Sequence, residues 1–223
     1  MSAISPDRAE GWGRIVEYIY LDMDSYPRRE HFAYFLAMGY PYVGATVNVD
    51  ITDFLARIKA AGEPFFLSLL YEVAAAANAV PEFRQRILDG RIVEFASCRT
   101  SHTVMRANGA YAYCALDCAL PKAEFLPYAL TAQERAKAGG NIAEDPAQSL
   151  GLLFISCLPW LSYTALVQPV PSPADSNPRI TWGKYFESEG RVLLPLSLLA
   201  HHALVDGKHL GEFHAALSAR LTI

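Results

Sequence analysis

An apolar run near the C-terminus closes on two imidazoles and a carboxylate. Residues 195–207 read PLSLLAHHALVDG, with His201, His202, Asp206 and Gly207 at its end. A neutral imidazole can remove a proton from an acceptor group, provided its other ring nitrogen is held by a fixed partner. If the run is a strand, His201 and His202 point to opposite faces, and only one of them enters a given pocket. Asp206 follows His202 at a spacing of four, and Gly207 permits a tight turn between them. A buried carboxylate in such a turn requires a cation, and Arg28-Arg29 is the early candidate cluster.

Two other readings of these residues stand beside the catalytic one. Histidines also end strands in purely structural roles. A metal reading rests on His201, His202, His209 and His214, all within the last 23 residues. No H-E-x-x-H motif or Cys pair accompanies them, and a helix sets His209 and His214 off a shared face, so no metal is expected. The four cysteines, Cys98, Cys114, Cys118 and Cys157, lie in no Cys/His motif and are expected as reduced thiols in a cytoplasmic protein.

The elements that must position these groups come from a chain of 223 residues, 52% hydrophobic and 19% charged, with a net charge of −4. That balance gives a sizeable core and no reason to expect a nucleic-acid partner. The polar N-terminus shows no secretory pattern. Residues 149–167 carry no charge over 19 residues, near the length of a membrane span. Pro159, several hydroxyls and the absence of basic flanks favour two buried strands at 151–157 and 161–168, and no membrane.

Residues 1–30 read as irregular or edge-forming. Alternation and β-branching predict strands at 45–51, 90–96, 102–108 and 110–118. Helices are expected at 52–62, stopped by Gly62, and from Pro64 to Val80, cut by Pro81. A further helical stretch at 122–140 is interrupted by Pro127 and stopped by Gly139-Gly140. Residues 168–178 form a Pro-rich loop, and 179–204 a hairpin turning at Ser188-Glu189-Gly190. An amphipathic helix from Gly207 ends the chain. There are no internal repeats, and the expectation is a single α/β domain of α+β type over 1–223, a mixed β-sheet with flanking helices.

HHALVDG, at 201–207, resembles the HHxxxDG-type signature of the chloramphenicol acetyltransferases. YPRREHF (26–32), DITDFL (50–55), PEFR (81–84), ISCLPW (155–160), ITWGKY (180–185) and LLPLSLLAHH (193–202) resemble that family too, in its order. HHxxxDG alone is shared with lipoate-linked acyltransferase cores and peptide-synthetase condensation domains. RREHF and LPW are more specific to chloramphenicol acetyltransferase. The resemblance implies that fold and a cytoplasmic homotrimer conferring antibiotic resistance, with each site at a subunit interface. It implies transfer of an acetyl group from acetyl-CoA directly to a hydroxyl of chloramphenicol, with another small hydroxyl or amine acceptor, or a non-catalytic relative that binds a hydrophobic ligand or partner, as the alternatives.

By that resemblance His202 is the general base, Ser156 donates to the oxyanion, and Thr181 assists through water. Asp206 and Arg28 are the ion pair that holds the turn. Lys184 and Tyr185 match the segment near coenzyme A. Tyr34, Phe35 and Tyr113 match the acceptor pocket, with Tyr34-Phe35 standing where the family has a Phe-Tyr pair. Lys208 stands in place of a Phe, Leu199 in place of a Gln, and Val205 in place of a Cys. The residues near the acceptor therefore depart from the family more than those of the chemistry.

Overall fold

The computed structural model describes residues 18–139, 142 and 146–222. The polar N-terminal stretch and Gly140 lie outside these. In chain order the elements are β1 (Tyr18–Tyr20), α1 (Arg29–Leu36), β2 (Tyr42–Asp50), α2 (Thr52–Ala61) and α3 (Phe65–Asn78). A 3₁₀ turn, Pro81–Arg84, leads to β3 (Gln85–Leu88), β4 (Arg91–Phe95), β5 (Arg99–Met105) and β6 (Tyr111–Leu116). Then come α4 (Lys122–Gly139), α5 (Pro146–Ser149), β7 (Leu152–Leu158), β8 (Arg179–Gly183), β9 (Phe186–Ser188), β10 (Arg191–His201) and α6 (Gly207–Leu221).

The main sheet is mixed, in the order β2-β10-β8-β7-β5-β6, with β9 paired to β10. β5, β7 and β8 run parallel; the other pairs are antiparallel. A smaller sheet, β1-β4-β3, stands apart. Its tight hairpin has Asp89 and Gly90 both at positive φ (50° and 71°), the backbone of a turn that matches the twist of the strands it joins. Glu189 and Gly190 (50° and 75°) do the same at the predicted β9–β10 turn.

Helices cover one face of the main sheet. α3 is apolar on most sides, and Leu67, Leu69, Leu70, Val73, Ala74, Ala76 and Ala77 are all buried. It packs between α4 and α6. Phe66 of α3 touches Trp182 of β8 at 5.3 Å, so Trp182, its neighbour Leu196 and Ile155 face the helices. Their chain neighbours Ser156, Thr181 and Ser197 point to the other face, as the two-residue period of a strand requires. On that face Thr103, Met105 and Tyr111 are exposed.

Several expectations need correction. Residues 161–168 form no strand. Both edges of β7 and of β8 are already paired, so a strand in that stretch could lie beside neither of the strands it connects. The connection instead lies over the open face, with Trp160, Leu161 and Val167 exposed at 70%, 57% and 94%. No helix among the described residues is long and apolar enough to cross a membrane. α4 runs through Pro127, its sixth residue, which removes one N–H from the second turn without ending the helix. β5 begins three residues before the predicted strand. β1, α1 and β3 were not foreseen in the sequence, although Phe32 and Leu36 have helical spacing and Asp89-Gly90 is a hairpin signal.

Candidate active site

β10 carries the apolar run to the end of the sheet and stops at His201, whose neighbour across the ladder is Tyr42. His202 therefore sits in a turn, not on a strand face. The turn from His201 to Asp206 has its polar groups bonded one by one. The His202 N–H donates to Pro41 O (2.7 Å), and the Leu204 and Val205 N–H groups both donate to His201 O (3.0 Å each). The Ala203 N–H donates to His201 Nδ1 at 3.2 Å. Arg28 Nη1 donates to Leu204 O. Arg28 Nη2 lies 3.3 Å from Asp206 Oδ2, which realises the expected ion pair.

Asp206 is not fully buried; its side chain is 35% exposed. Besides meeting Arg28 it caps α6, accepting the Lys208 N–H at 2.9 Å. One carboxylate thus fixes both the end of the turn and the start of the helix. Gly207 opens α6 without a positive φ, and a Cβ there would meet nothing within 4 Å, so side-chain hydrogen bonds rather than glycine shape this turn.

The two imidazoles differ sharply. His201 is buried, and its Nδ1 accepts a backbone N–H, so its proton sits on Nε2. Burial pushes its pKa down to about 4, with Asp175 partly opposing, and the ring stays neutral near pH 7. His202 is half-buried, and its Nδ1 lies 2.9 Å from Val205 O. A carbonyl only accepts, so Nδ1 carries a proton, and in the neutral ring the lone pair is on Nε2. The Phe35 ring lies flat on the imidazole, 3.7 Å away and 15° from parallel. Phe35 therefore touches the candidate base itself. Tyr34 meets Phe35 edge-on at 5.1 Å and is 65% exposed.

The hydroxyls assemble elsewhere on the sheet. Ser156 faces Thr181, Thr181 faces Ser197, and Ser197 faces Thr46, a row across β7, β8, β10 and β2. Ser197 and Thr46 share a hydrogen bond of 2.6 Å, and Thr181 donates to Gln168 Oε1 at 3.1 Å. Ser156 is half-buried and, among the described residues, its hydroxyl has no hydrogen-bond partner, leaving it able to donate. Tyr163 donates to Thr181 O (2.8 Å) and pins the connecting segment over this row.

The remaining predicted positions scatter. Tyr113 of β6 is half-buried beside Tyr111 on the open face. Lys184 is exposed after β8, and its N–H bonds to Leu161 O at 2.6 Å. Tyr185 packs against Phe65 at 5.5 Å. The free thiols offer no nucleophile: burial raises Cys114 and Cys157 to about 11 and Cys118 to about 12. Glu82, His209 and Glu212 bring three ligand-type atoms within 4.8 Å of one another. His209 Nδ1 already accepts the Asp206 N–H, so a metal at Nε2 would displace the ring's only proton. Sequence reasoning had given His209 no role in the site.

The sheet order, the turn and the hydroxyl row can now be set beside known proteins. The family model described as chloramphenicol acetyltransferase matches residues 16–218. The chain belongs to the chloramphenicol acetyltransferase family. A chloramphenicol acetyltransferase of Escherichia coli is 30% identical over 202 residues, which span 89% of this chain and 91% of that protein. One from Bacillus pumilus is 25% identical over 193 residues, covering 85% and 87%. A solved chloramphenicol acetyltransferase superposes with a TM-score of 0.83 at 27% identity, covering 92% of this chain and all of that one. The dihydrolipoamide acetyltransferase of Azotobacter vinelandii shares the fold, with a TM-score of 0.62 at 18% identity. As a member of the family the chain is an acyltransferase, with acetyl transfer as its activity.

Proposed function

We propose that the chain transfers the acetyl group of acetyl-CoA directly to a hydroxyl of chloramphenicol, with His202 as general base. The observation that carries this is the state of the His202 ring. Its Nδ1–H is tied to Val205 O and its face is held by Phe35, so in the neutral ring Nε2 is a fixed acceptor. Nε2 removes the proton as the acceptor oxygen attacks the thioester carbonyl. Ser156 donates its hydroxyl proton as a hydrogen bond to the oxyanion of the tetrahedral intermediate. Collapse breaks the C–S bond, and His202 returns the proton to the departing thiolate. No acyl-enzyme forms. General base catalysis of this kind supplies about 10²–10⁴-fold and a single oxyanion donor about 10²–10³-fold.

The two groups cannot meet within one chain. Ser156 lies two strands from β10, at the level of Ser197, and His202 lies five residues beyond Ser197. At about 4.8 Å between strands and about 3.3 Å per residue, they stand roughly 19 Å apart. A site that uses both is built from the His202 turn of one subunit and the Ser156 face of another. This supports the homotrimer and gives the exposed Trp160, Leu161 and Val167 a partner surface. Tyr34, Phe35 and Tyr113 would face the acceptor, and Lys184 and Tyr185 the coenzyme.

A second acceptor, another small alcohol or amine, is favoured by one observation. The ring on His202 is Phe35, which offers no hydroxyl to a bound polar acceptor. A site that recognises hydroxyls discriminates by such groups. The test is thiol release from acetyl-CoA by purified protein, first with chloramphenicol, then with small alcohols and amines. Release with chloramphenicol that vanishes in His202→Ala supports the first reading. Release only with another acceptor moves the substrate and keeps the mechanism.

A further inference from the structure

The peptide unit between Val205 and Asp206 is engaged at both ends by imidazoles. Its carbonyl accepts from His202 Nδ1 at 2.9 Å. Its N–H donates to His209 Nδ1 at 3.0 Å. His209 is buried in the first turn of α6, and its Nε2 faces Glu82 Oε1 of the 3₁₀ turn at 3.5 Å. A backbone N–H and a ring N–H cannot occupy the same contact, so Nδ1 of His209 presents its lone pair to the peptide and the proton sits on Nε2, toward Glu82.

We infer that His209, backed by Glu82, is a positioning residue for His202, acting through the Val205–Asp206 peptide. The inference rests on the reading of His202 as the general base. The chain of contacts is carboxylate, imidazole, peptide, imidazole. Each link is directional. Glu82 favours the His209 tautomer with its proton on Nε2. That tautomer accepts the Asp206 N–H and fixes the tilt of the peptide plane. The fixed carbonyl holds the proton of His202 on Nδ1, which keeps Nε2 unprotonated and aimed. Hydrogen bonds in such a chain polarise one another, so an acceptor on the N–H makes the carbonyl a better acceptor in turn.

The motif also explains an oddity of the helix start. A capping box ordinarily uses Glu or Gln at the third helical position to reach back to the cap residue's N–H. Here a histidine does it. Glu or Gln would satisfy the N–H as well; histidine adds rigidity and a second contact to Glu82. Three carboxylates surround His209: Glu82 from the 3₁₀ turn, Asp206 at the cap (Oδ1 3.2 Å from Nδ1) and Glu212 one turn on. Arg28 engages Asp206 from α1's start, and Lys208 pairs with Glu212 at 3.4 Å, leaving Glu82 facing Nε2.

The experiment measures kcat and KM for both substrates in His209→Leu, His209→Gln and Glu82→Gln, with His202→Ala as the control. His209→Leu, folded and of native subunit number, is expected to lose about ten- to a hundred-fold in kcat with both KM values within about two-fold, by analogy with the loss when the hydrogen-bond partners of metal-ligating histidines are removed. His209→Gln keeps an acceptor and a donor in place and is expected to recover most of the loss. Glu82→Gln, remote from substrate, is expected to show a smaller loss confined to kcat. ¹⁵N ring shifts of His202 in labelled protein are expected to report the Nδ1–H tautomer in the unsubstituted chain and a mixture in His209→Leu. Unchanged kcat in a folded His209→Leu, or in Glu82→Gln if His209→Leu does not fold, overturns the inference. So does a doubly protonated His209 ring in the working enzyme. Full turnover in His202→Ala would instead overturn the reading of the base, a separate outcome.

Discussion

The difference between two adjacent histidines is a matter of which nitrogen holds the proton and what surrounds the ring. His201 spends Nδ1 on a backbone N–H in the core; His202 spends Nδ1–H on a carbonyl and keeps Nε2 open. His202→Ala is therefore expected to lower kcat by about 10²–10⁴-fold with the melting temperature little changed. His201→Ala orphans the Ala203 N–H and opens a void, and is expected to cost about 1–3 kcal/mol in urea unfolding with smaller effect on turnover. A loss of turnover in folded His201→Ala alone would reverse the assignment. The pairing of Asp206 with Arg28 was legible in the sequence through the resemblance. The stacking of Phe35 on His202 was not, because the aligned position read as pocket lining. Nor was His209, since a histidine at the third helical position does not match the usual capping pattern.

Burial of neutral imidazoles also sets a pH limit. His102 lies between β5 and α4, takes a hydrogen bond from Gln133 at 3.0 Å, and is pushed down to about 4 by burial. His201 is pushed to the same value, and His214 is lowered by burial as well. Each folded pKa lies below its unfolded value, so the unfolded chain binds more protons between the two. Stability is then full above about pH 6.5 and falls as the pH drops, levelling off below about pH 4 for His102 and His201. Each fully buried histidine contributes a slope approaching 1.4 kcal/mol per pH unit inside that window. Urea midpoints at fixed protein concentration between pH 7.5 and 5 are expected to fall, and His102→Gln to flatten the fall.

At the scale of elements, the sequence showed where periodicity and punctuation agree. α2 stops at Gly62, whose φ of 65° makes the left-handed cap that glycine adopts freely. α3 is a buried apolar helix, and the β9–β10 hairpin turns where Glu189-Gly190 allows it. The failure at 161–168 has a physical cause: β-propensity is local, but an available strand edge is a property of the sheet. The site turn depends on α1, which the sequence reading passed over. Arg28 immediately precedes it and reaches both Leu204 O and Asp206. Arg28→Met keeps much of the side-chain bulk but removes both contacts, leaving a carbonyl and a carboxylate without their cation. We expect about 1–3 kcal/mol lost in unfolding, together with a fall in kcat larger than that of Asp206→Asn, which retains the cap acceptor. Equal kcat in Arg28→Met and the unsubstituted protein would show that the turn holds without its arginine.

At the scale of the whole molecule, the roughly 19 Å between Ser156 and His202 along the sheet of one chain is the fact that reaches furthest. If Ser156 and His202 act together as proposed, catalysis belongs to the contact between subunits, and mixing experiments read this directly. Ser156→Ala and His202→Ala chains, each nearly inactive alone, are to be co-expressed with different tags and the mixed trimers isolated. Where a Ser156→Ala chain offers its intact His202 turn to the intact Ser156 face of a His202→Ala chain, the site is complete. In a closed ring of three, every mixed trimer of either composition holds one complete site, about a third of its sites. Turnover near that fraction, absent when the two purified homotrimers are combined without subunit exchange, is expected. If each chain carried its own whole site, every site in the mixture would lack one group, and mixing would restore nothing. A rise in activity therefore measures the shared site itself, independent of which acceptor the enzyme prefers.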